Sequence, residues 1–215
     1  MSVSQDRHDR LAVYAELLLS ANRRVNLTAA RTSAAVWEHI EDSLTVAPYV
    51  VEGELVDIGS GGGFPAIPLA IVCGVRVTLI EAIAKKATFL RSALTELGLE
   101  GEVLIGRVES IAHESAYRER FATATARAVA SAPAVLEFTL PLLRAGGRAV
   151  LQRGRMDEAE LRAVEAASPM LGGGPPVEQA LEGERRLLVI EKRAPTPIRF
   201  PRRVGVPQRK PLCFT

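Results

Sequence analysis

The chain has 215 residues, 47% of them hydrophobic, with 27 basic and 25 acidic side chains and a formal net charge of +2. That length and apolar content suit one sizeable packed domain with an appendage and exclude wholesale disorder, and the small net charge does not by itself announce a nucleic-acid binder. Two cysteines, Cys73 and Cys213, show no metal spacing and no disulfide framework, and the polar start "MSVSQDRHDR" and the proline-broken run "FPAIPLAIVCGV" resemble neither a signal peptide nor a membrane span of about 20 residues, so a soluble, cytoplasmic protein is expected.

The first fifty residues read as helical. Leu11, Tyr14 and Leu18 recur at the spacing of one helix face. A second helix is predicted from about Thr32 to Val46, with Trp37, Ile40 and Leu44 on one stripe. His39, Asp42 and Ser43 fall on the opposite face by the same 3.6-residue geometry. From Glu54 the texture changes to alternating strand and helix. "ELVDI" is a short apolar strand, and Pro65 suits the first turn of the helix after it. "VRVTLI" is a β-branched strand ending at Glu81. "KKATFLRSALTELGL" is an amphipathic helix with Gly98 as its stop. "EVLI" and "FATATARA" are the third and fourth strands. "SAPAVLEFTLPLLRAGG" reads as a helix closed by a glycine pair, followed by a fifth strand, "GRAVLQ". A charged helix near Asp157 to Ala167, a loop "SPMLGGGPP" and a last strand "RRLLVIEK" complete the pattern.

This alternation predicts an α/β fold with a mainly parallel, doubly wound sheet. Ligands of such sheets bind at the carboxyl ends of the strands, near the switch in strand order. The stretch "LVDIGSGGGFPAIP" sits at the first such end, with glycines at 59, 61, 62 and 63. Two cofactors use a glycine-rich loop there. Dinucleotide enzymes need a third fingerprint glycine beside the pyrophosphate, and here that place holds Phe64. S-adenosylmethionine carries no phosphate, and the strand-end carboxylate Asp57 suits its ammonium and sulfonium charges better than it suits a pyrophosphate. Glu81, ending the second strand, is placed to accept from ribose hydroxyls, a feature both cofactors share. The loop with Asp57, Phe64 and Glu81 favours a methyltransferase over a dinucleotide enzyme or a non-catalytic fold.

Longer stretches carry a more specific likeness. "NLTAARTSAAVWEHIEDSLTVAPYV", "LVDIGSGGGFPAIPLAIV", "LIEAIAKKATFLR", "GRVESI", "ARAVAS", "GERRLLVIEK" and "APTPIRFPRRVGVPQRKPL" resemble the bacterial RsmG (GidB) family, from about Asn26 to Leu212. The paired "NLT" and "HI-x-DS" elements are more specific than the glycine loop. The resemblance implies a Rossmann-like class I fold with an N-terminal helical cap. It implies methylation of N7 of a guanine in the decoding-region loop of 16S ribosomal RNA, with S-adenosylmethionine as donor. Carried over residue by residue, it puts Gly59 and Phe64 against the cofactor and Glu81, Ala82 and Ile83 around its ribose and adenine. Val108 and Glu109 would flank the adenine, and Arg127 would lie in the site. After the fifth strand the family frequently has a lysine–glycine pair where this chain has Arg153-Gly154. Charge survives there, spread over a planar fork. The chain divides into a helical cap (1–50), a methyltransferase core (51–193) and a basic, proline-rich arm (194–215).

Guanine N7 carries a free lone pair, so its methylation needs no general base; in-line orientation and electrostatics carry the chemistry. Neither a His–Asp dyad nor a cysteine nucleophile is expected, nor a metal. His39 and Asp42 are either a solvated helix face or a lid over the glycine loop; with Arg127 and Arg153 they are the candidate orienting groups. Asp57 is either a cofactor neighbour or an anchor for the loop amides. From Lys192 onward the chain has seven basic residues, no acidic one, and prolines at 195, 197, 201, 207 and 211. An extended arm is expected. Arg199, Arg202, Arg203, Arg209 and Lys210 would meet RNA phosphates and Phe200 would add stacking, unless the segment is only a solvated tail. Arg23, Arg24 and Arg31 would extend that basic surface. The expected partner is 16S ribosomal RNA or the small-subunit particle, met by a monomer. A small-molecule methyltransferase on this fold would have no use for the tail. A non-catalytic nucleic-acid binder would have no use for the intact glycine loop.

Overall fold

The computed structural model describes residues 4–213. Two long helices come first, α1 (Gln5–Val25) and α2 (Ser33–Leu44). Then β1 (Leu55–Ile58), α3 (Ala66–Cys73), β2 (Val77–Glu81), α4 (Ala84–Glu96), β3 (Gly101–Ile105), the short α5 (Val108–Ile111) and β4 (Phe121–Arg127) alternate. They are followed by α6 (Ala132–Thr139), β5 (Leu143–Arg153), α7 (Glu158–Met170), β6 (Val177–Ala180), β7 (Arg186–Glu191) and a last turn of helix, α8 (Val206–Arg209).

The seven strands form one sheet in the order β3-β2-β1-β4-β5-β7-β6. Strands β1 to β5 pair in parallel, while β7 runs antiparallel to both β5 and β6. The strand order reverses between β1 and β4, so their carboxyl ends open the crevice where such sheets bind ligands. Side chains alternate across the sheet with a period of two. Leu55, Val77, Leu79 and Val150 face one core, shared with α1 to α4. Val56, Ile58, Ile80 and Leu151 face the other, shared with α5 to α7 and Phe200. The helical cap therefore has no core of its own. Leu11, Tyr14 and Leu18, the face expected from spacing, are buried in the first of these layers.

Four expectations are corrected. Ser43, expected on the open face of α2, is fully buried, and its hydroxyl donates to His39 O at 2.6 Å. α2 packs against α1 and α3, and its Asp42 side meets the sheet's carboxyl edge, which leaves Ala34, Glu38 and Glu41 to solvent. The helix expected to run to the glycine pair stops at Thr139; one 3₁₀ turn, Leu140–Leu142, follows, and the chain is already β5 at Leu143. Pro141 has no N–H to continue a helix, and the Gly146 amide is taken by Lys192 O at 2.8 Å. The loop after α7 contains the edge strand β6, whose four residues are all exposed; with neither face buried, no alternation marks it. The basic C-terminal segment is not an extended arm. It folds back on α6, buries Phe200, and turns helical at α8.

Candidate active site

The glycine loop is wedged between the sheet and the cap. Gly59, Gly61 and Gly63 take positive φ, a region closed to most side chains. A Cβ on Gly62 would stand 3.1 Å from Leu18, and one on Gly63 would strike Ile67. Tyr14 Oη donates to Gly62 O at 2.7 Å, which fixes α1 to the loop. The "NLT" turn lies on top. One side chain, Asn22, organises it: its amide nitrogen donates to Thr28 O and Ala30 O, and its oxygen accepts from the Leu27 and Thr28 amides.

Beside the loop, at the ends of β1, β2 and β3, lies a cleft of about 250 Å³. Gly59, Glu81, Ala82, Ile83 and Val108 line it, five of the eight expected cofactor positions. The Glu81 carboxylate accepts from the Gly61 amide at 2.9 Å and the Ile83 amide at 2.8 Å. It ties the glycine loop to the β2 end while leaving lone pairs for a ligand hydroxyl.

The other three positions lie elsewhere. Glu109 is buried and turned away, bonded to Arg107 and to the Gly205 amide at 2.8 Å. Burial pushes its carboxyl up, but these partners more than offset that and hold it below the ordinary value. Phe64 packs under the cap. Tyr14 and His39 meet its ring edge-on, with centroids 5.4 and 5.5 Å away, and the Arg127 guanidinium stands 4.7 Å over its face. Burial, reinforced by Arg127, lowers the His39 pKa, which favours the neutral imidazole. Arg107, Val129, Phe138 and Gln208 also line the cleft beside the glycine loop and were missed. Arg107 and Val129 could have been found as neighbours of strand-end motifs. Gln208 carries no local signal, because only the folding back of the C-terminus brings it there.

A second cleft, of about 360 Å³, opens at the ends of β4 and β5, on the far side of Ala128. Asp42, Arg127, Arg153, Arg185 and Arg186 line it. Asp42 is its hub. One carboxylate oxygen accepts from Arg127 at 3.3 Å and Gln152 at 3.0 Å, the other from Arg185 at 3.2 Å. Thus α2 closes over the strand ends: its His39 joins Arg127 against Phe64, and its Asp42 holds Arg127 in place. Arg153 lies deeper, donating to Ala130 O and to Glu160 at 2.8 Å.

Asp57 lies wholly buried beneath the loop. One oxygen accepts from Thr125 at 2.7 Å, and the other, Oδ2, has no partner. Burial raises its pKa to about 7, against the opposing pull of the Thr125 and Ser60 hydroxyls and Arg127. The orphaned acceptor, the close-approach glycines and the Glu81 carboxylate fit a small cationic nucleoside better than a pyrophosphate. Of the RNA candidates, Arg199, Arg203, Arg209 and Lys210 are exposed. Arg202 is committed inward, to the buried carboxylate of Glu137, with contacts at 2.7 to 3.0 Å. Phe200, 3% exposed, has no face free to stack on a base.

A family model described as rRNA small subunit methyltransferase G matches residues 7–189. The ribosomal RNA small subunit methyltransferase G of Rubrobacter xylanophilus is 44% identical to this chain, covering 99% of it and 86% of its own length. That of Chloroflexus aggregans is 42% identical, covering 98% and 92%. Among solved structures, an O-methyltransferase from Bacillus cereus in complex with SAH aligns with a TM-score of 0.58 at 23% identity, over 84% of this chain and 91% of that one. The 16S rRNA N2 G1207 methyltransferase RsmC of T. thermophilus, in complex with AdoMet and guanosine, aligns at 0.51 and 20% identity, over 71% of this chain and 40% of that one. Identities this low speak for the fold alone.

Proposed function

Because the chain belongs to the GidB family of small-subunit ribosomal RNA methyltransferases, we propose that it transfers the methyl group of S-adenosylmethionine to N7 of a guanine in 16S ribosomal RNA. The observation that carries this reading is the pair of clefts flanking Arg127 to Val129: a glycine-walled one with Glu81 at the ends of β1 to β3, and an arginine-lined one at the ends of β4 and β5. The first suits the nucleoside half of the donor, the second an anionic acceptor strand.

When bound, S-adenosylmethionine supplies an activated methyl group. Glu81, Ala82, Ile83 and Val108 would hold its nucleoside part, with the glycine loop close to its methionine part. Guanine N7 is a lone-pair nucleophile, so no residue must remove a proton before transfer. The work left to the chain is alignment and charge. Arg127 is held between Asp42 and the Phe64 face, a rigid cation at the junction of the clefts. His39, kept neutral, adds no second positive charge near the base as it becomes cationic. Arg199, Arg203, Arg209 and Lys210 would meet phosphates on the outer surface.

The test is incubation with labelled S-adenosylmethionine and small-subunit RNA or particles, followed by mapping of the methylated base. Label at N7 of a single guanine is expected. Label only on a small metabolite, or on another atom or RNA position, overturns the proposal.

A further inference from the structure

A third cleft, of about 600 Å³, lies on the outer side of the cap, between the end of α1 and the start of α2. Arg23, Arg24 and Arg31 line it with Asn26, Thr32 and Ser33. No residue beyond Ser33 lines it, so it is separate from the C-terminal basic segment rather than its continuation.

What marks these three arginines is that they share one concavity. In the arginine-lined cleft at the ends of β4 and β5, by contrast, Arg127, Arg153, Arg185 and Arg186 each reach a carboxylate within 3.3 Å. Among the described residues, Arg23, Arg24 and Arg31 reach none within 4.0 Å, although the chain holds almost as many acids as bases. Arg31 spends part of its fork on Thr28 O and Ala30 O, which fixes it at the cleft wall. The first turn of α2, which opens into the cleft, has no acidic residue to offset its positive end. Three unneutralised guanidinium groups on one concavity repel one another, and an anion from outside relieves that repulsion. Arginine forks match phosphate oxygens. The wall of this cleft is also the outer side of the turn from Asn26 to Ala30, whose inner side, at Leu27, rests on Gly62 of the loop.

We infer that this cleft is a second RNA site, one that takes backbone phosphates of the ribosomal RNA on the cap, away from the strand ends where the base is methylated. The inference rests on the proposed function. Its volume of about 600 Å³ and its three cations suit consecutive phosphodiesters of a strand rather than one free phosphate. A strand seated here bears on the turn that covers the glycine loop, so one RNA would be gripped on both sides of the cofactor site.

The test is the double variant Arg23→Gln/Arg24→Gln, which leaves the wall-forming Arg31 in place. Binding of small-subunit ribosomal RNA is measured over a range of salt, beside S-adenosylmethionine affinity and the melting temperature. The slope of log K against log salt is expected to fall by roughly 1 to 2, with RNA affinity down about tenfold at moderate salt and the other two quantities as in wild type. An unchanged slope overturns the inference, as does equal loss of RNA and S-adenosylmethionine binding, which would make the cleft a support for the loop. Inorganic phosphate that binds wild type and is lost in the variant, with RNA binding unaffected, overturns it too, marking a small-anion site. Should the variant not fold, footprinting of wild-type arginines with phenylglyoxal decides: RNA must protect Arg23 and Arg24, and absence of protection overturns the inference. Failure of the wild type to methylate small-subunit RNA is a different result, and it sinks the proposed function instead.

Discussion

Glu81 is a single side chain holding two loops. Its oxygens accept from the Gly61 amide in the glycine loop and from the Ile83 amide after β2. Charge-assisted hydrogen bonds of this kind contribute roughly 1.5–3 kcal/mol each. Glu81→Ala should therefore weaken S-adenosylmethionine binding about 10- to 100-fold by calorimetry while RNA affinity changes little. Loss of RNA binding first would show that the residue serves another ligand. Asp57 makes a pH-dependent prediction. Its carboxyl keeps its proton up to about pH 7 in the folded chain, against an ordinary value of 3.8. Between these values the folded state binds the extra proton, so the stability linked to Asp57 is full below about pH 4 and is lost as pH rises towards 7. Asp57→Asn keeps an acceptor for Thr125 and removes the titration. Relative to wild type it should gain roughly 2 kcal/mol of stability between about pH 5 and pH 8 in urea unfolding. Identical pH profiles for the two proteins would refute the assignment.

At the scale of elements, the C-terminal segment is held to the domain chiefly through α6. Glu137 is completely buried, and its carboxylate takes the Arg202 amide and side chain together. Arg118 adds bonds to Phe200 O and Thr196 O from the other side. Arg202→Ala would leave a buried carboxylate without its cation, at a cost of about 3 kcal/mol. The measurement is the midpoint of denaturant unfolding, and an unchanged midpoint would mean that the segment docks without this pair. A neutralised Arg202 thus reports on folding before it reports on RNA. Helix α2 is the other element with a double duty. Its Val36 and Ile40 enter the core, while His39 and Asp42 meet Phe64 and Arg127 at the strand ends.

For the molecule as a whole, the proposed function gives RNA the exposed cations of the C-terminus beside those of the cap cleft. Replacing Arg199 and Arg203 by Gln should lower the salt slope of RNA binding by about 1 without changing the unfolding midpoint. A slope equal to wild type would confine the segment to a structural role. The cap shares its apolar layer with β1, β2 and α3, so cap and cofactor loop form one packed unit.

The residues by themselves determined the alternation of strand and helix, the glycine loop, and the strand-end carboxylates Asp57 and Glu81. These rest on local periodicity and on conformations that only glycine tolerates, and both are written in consecutive residues. The cleft beside the glycine loop was legible for the same reason at Gly59, Glu81, Ala82, Ile83 and Val108, which lie at or just after strand ends. Long-range packing decided the rest. It turned Glu109 away from the cleft and brought Gln208 into it. It made Phe64 the centre of a cluster with His39 and Arg127, and it spent Arg202 on Glu137, 65 residues away in sequence. Composition can count a basic tail, but which of its charges face water depends on where the buried carboxylates come to lie, and only the folded chain fixes that.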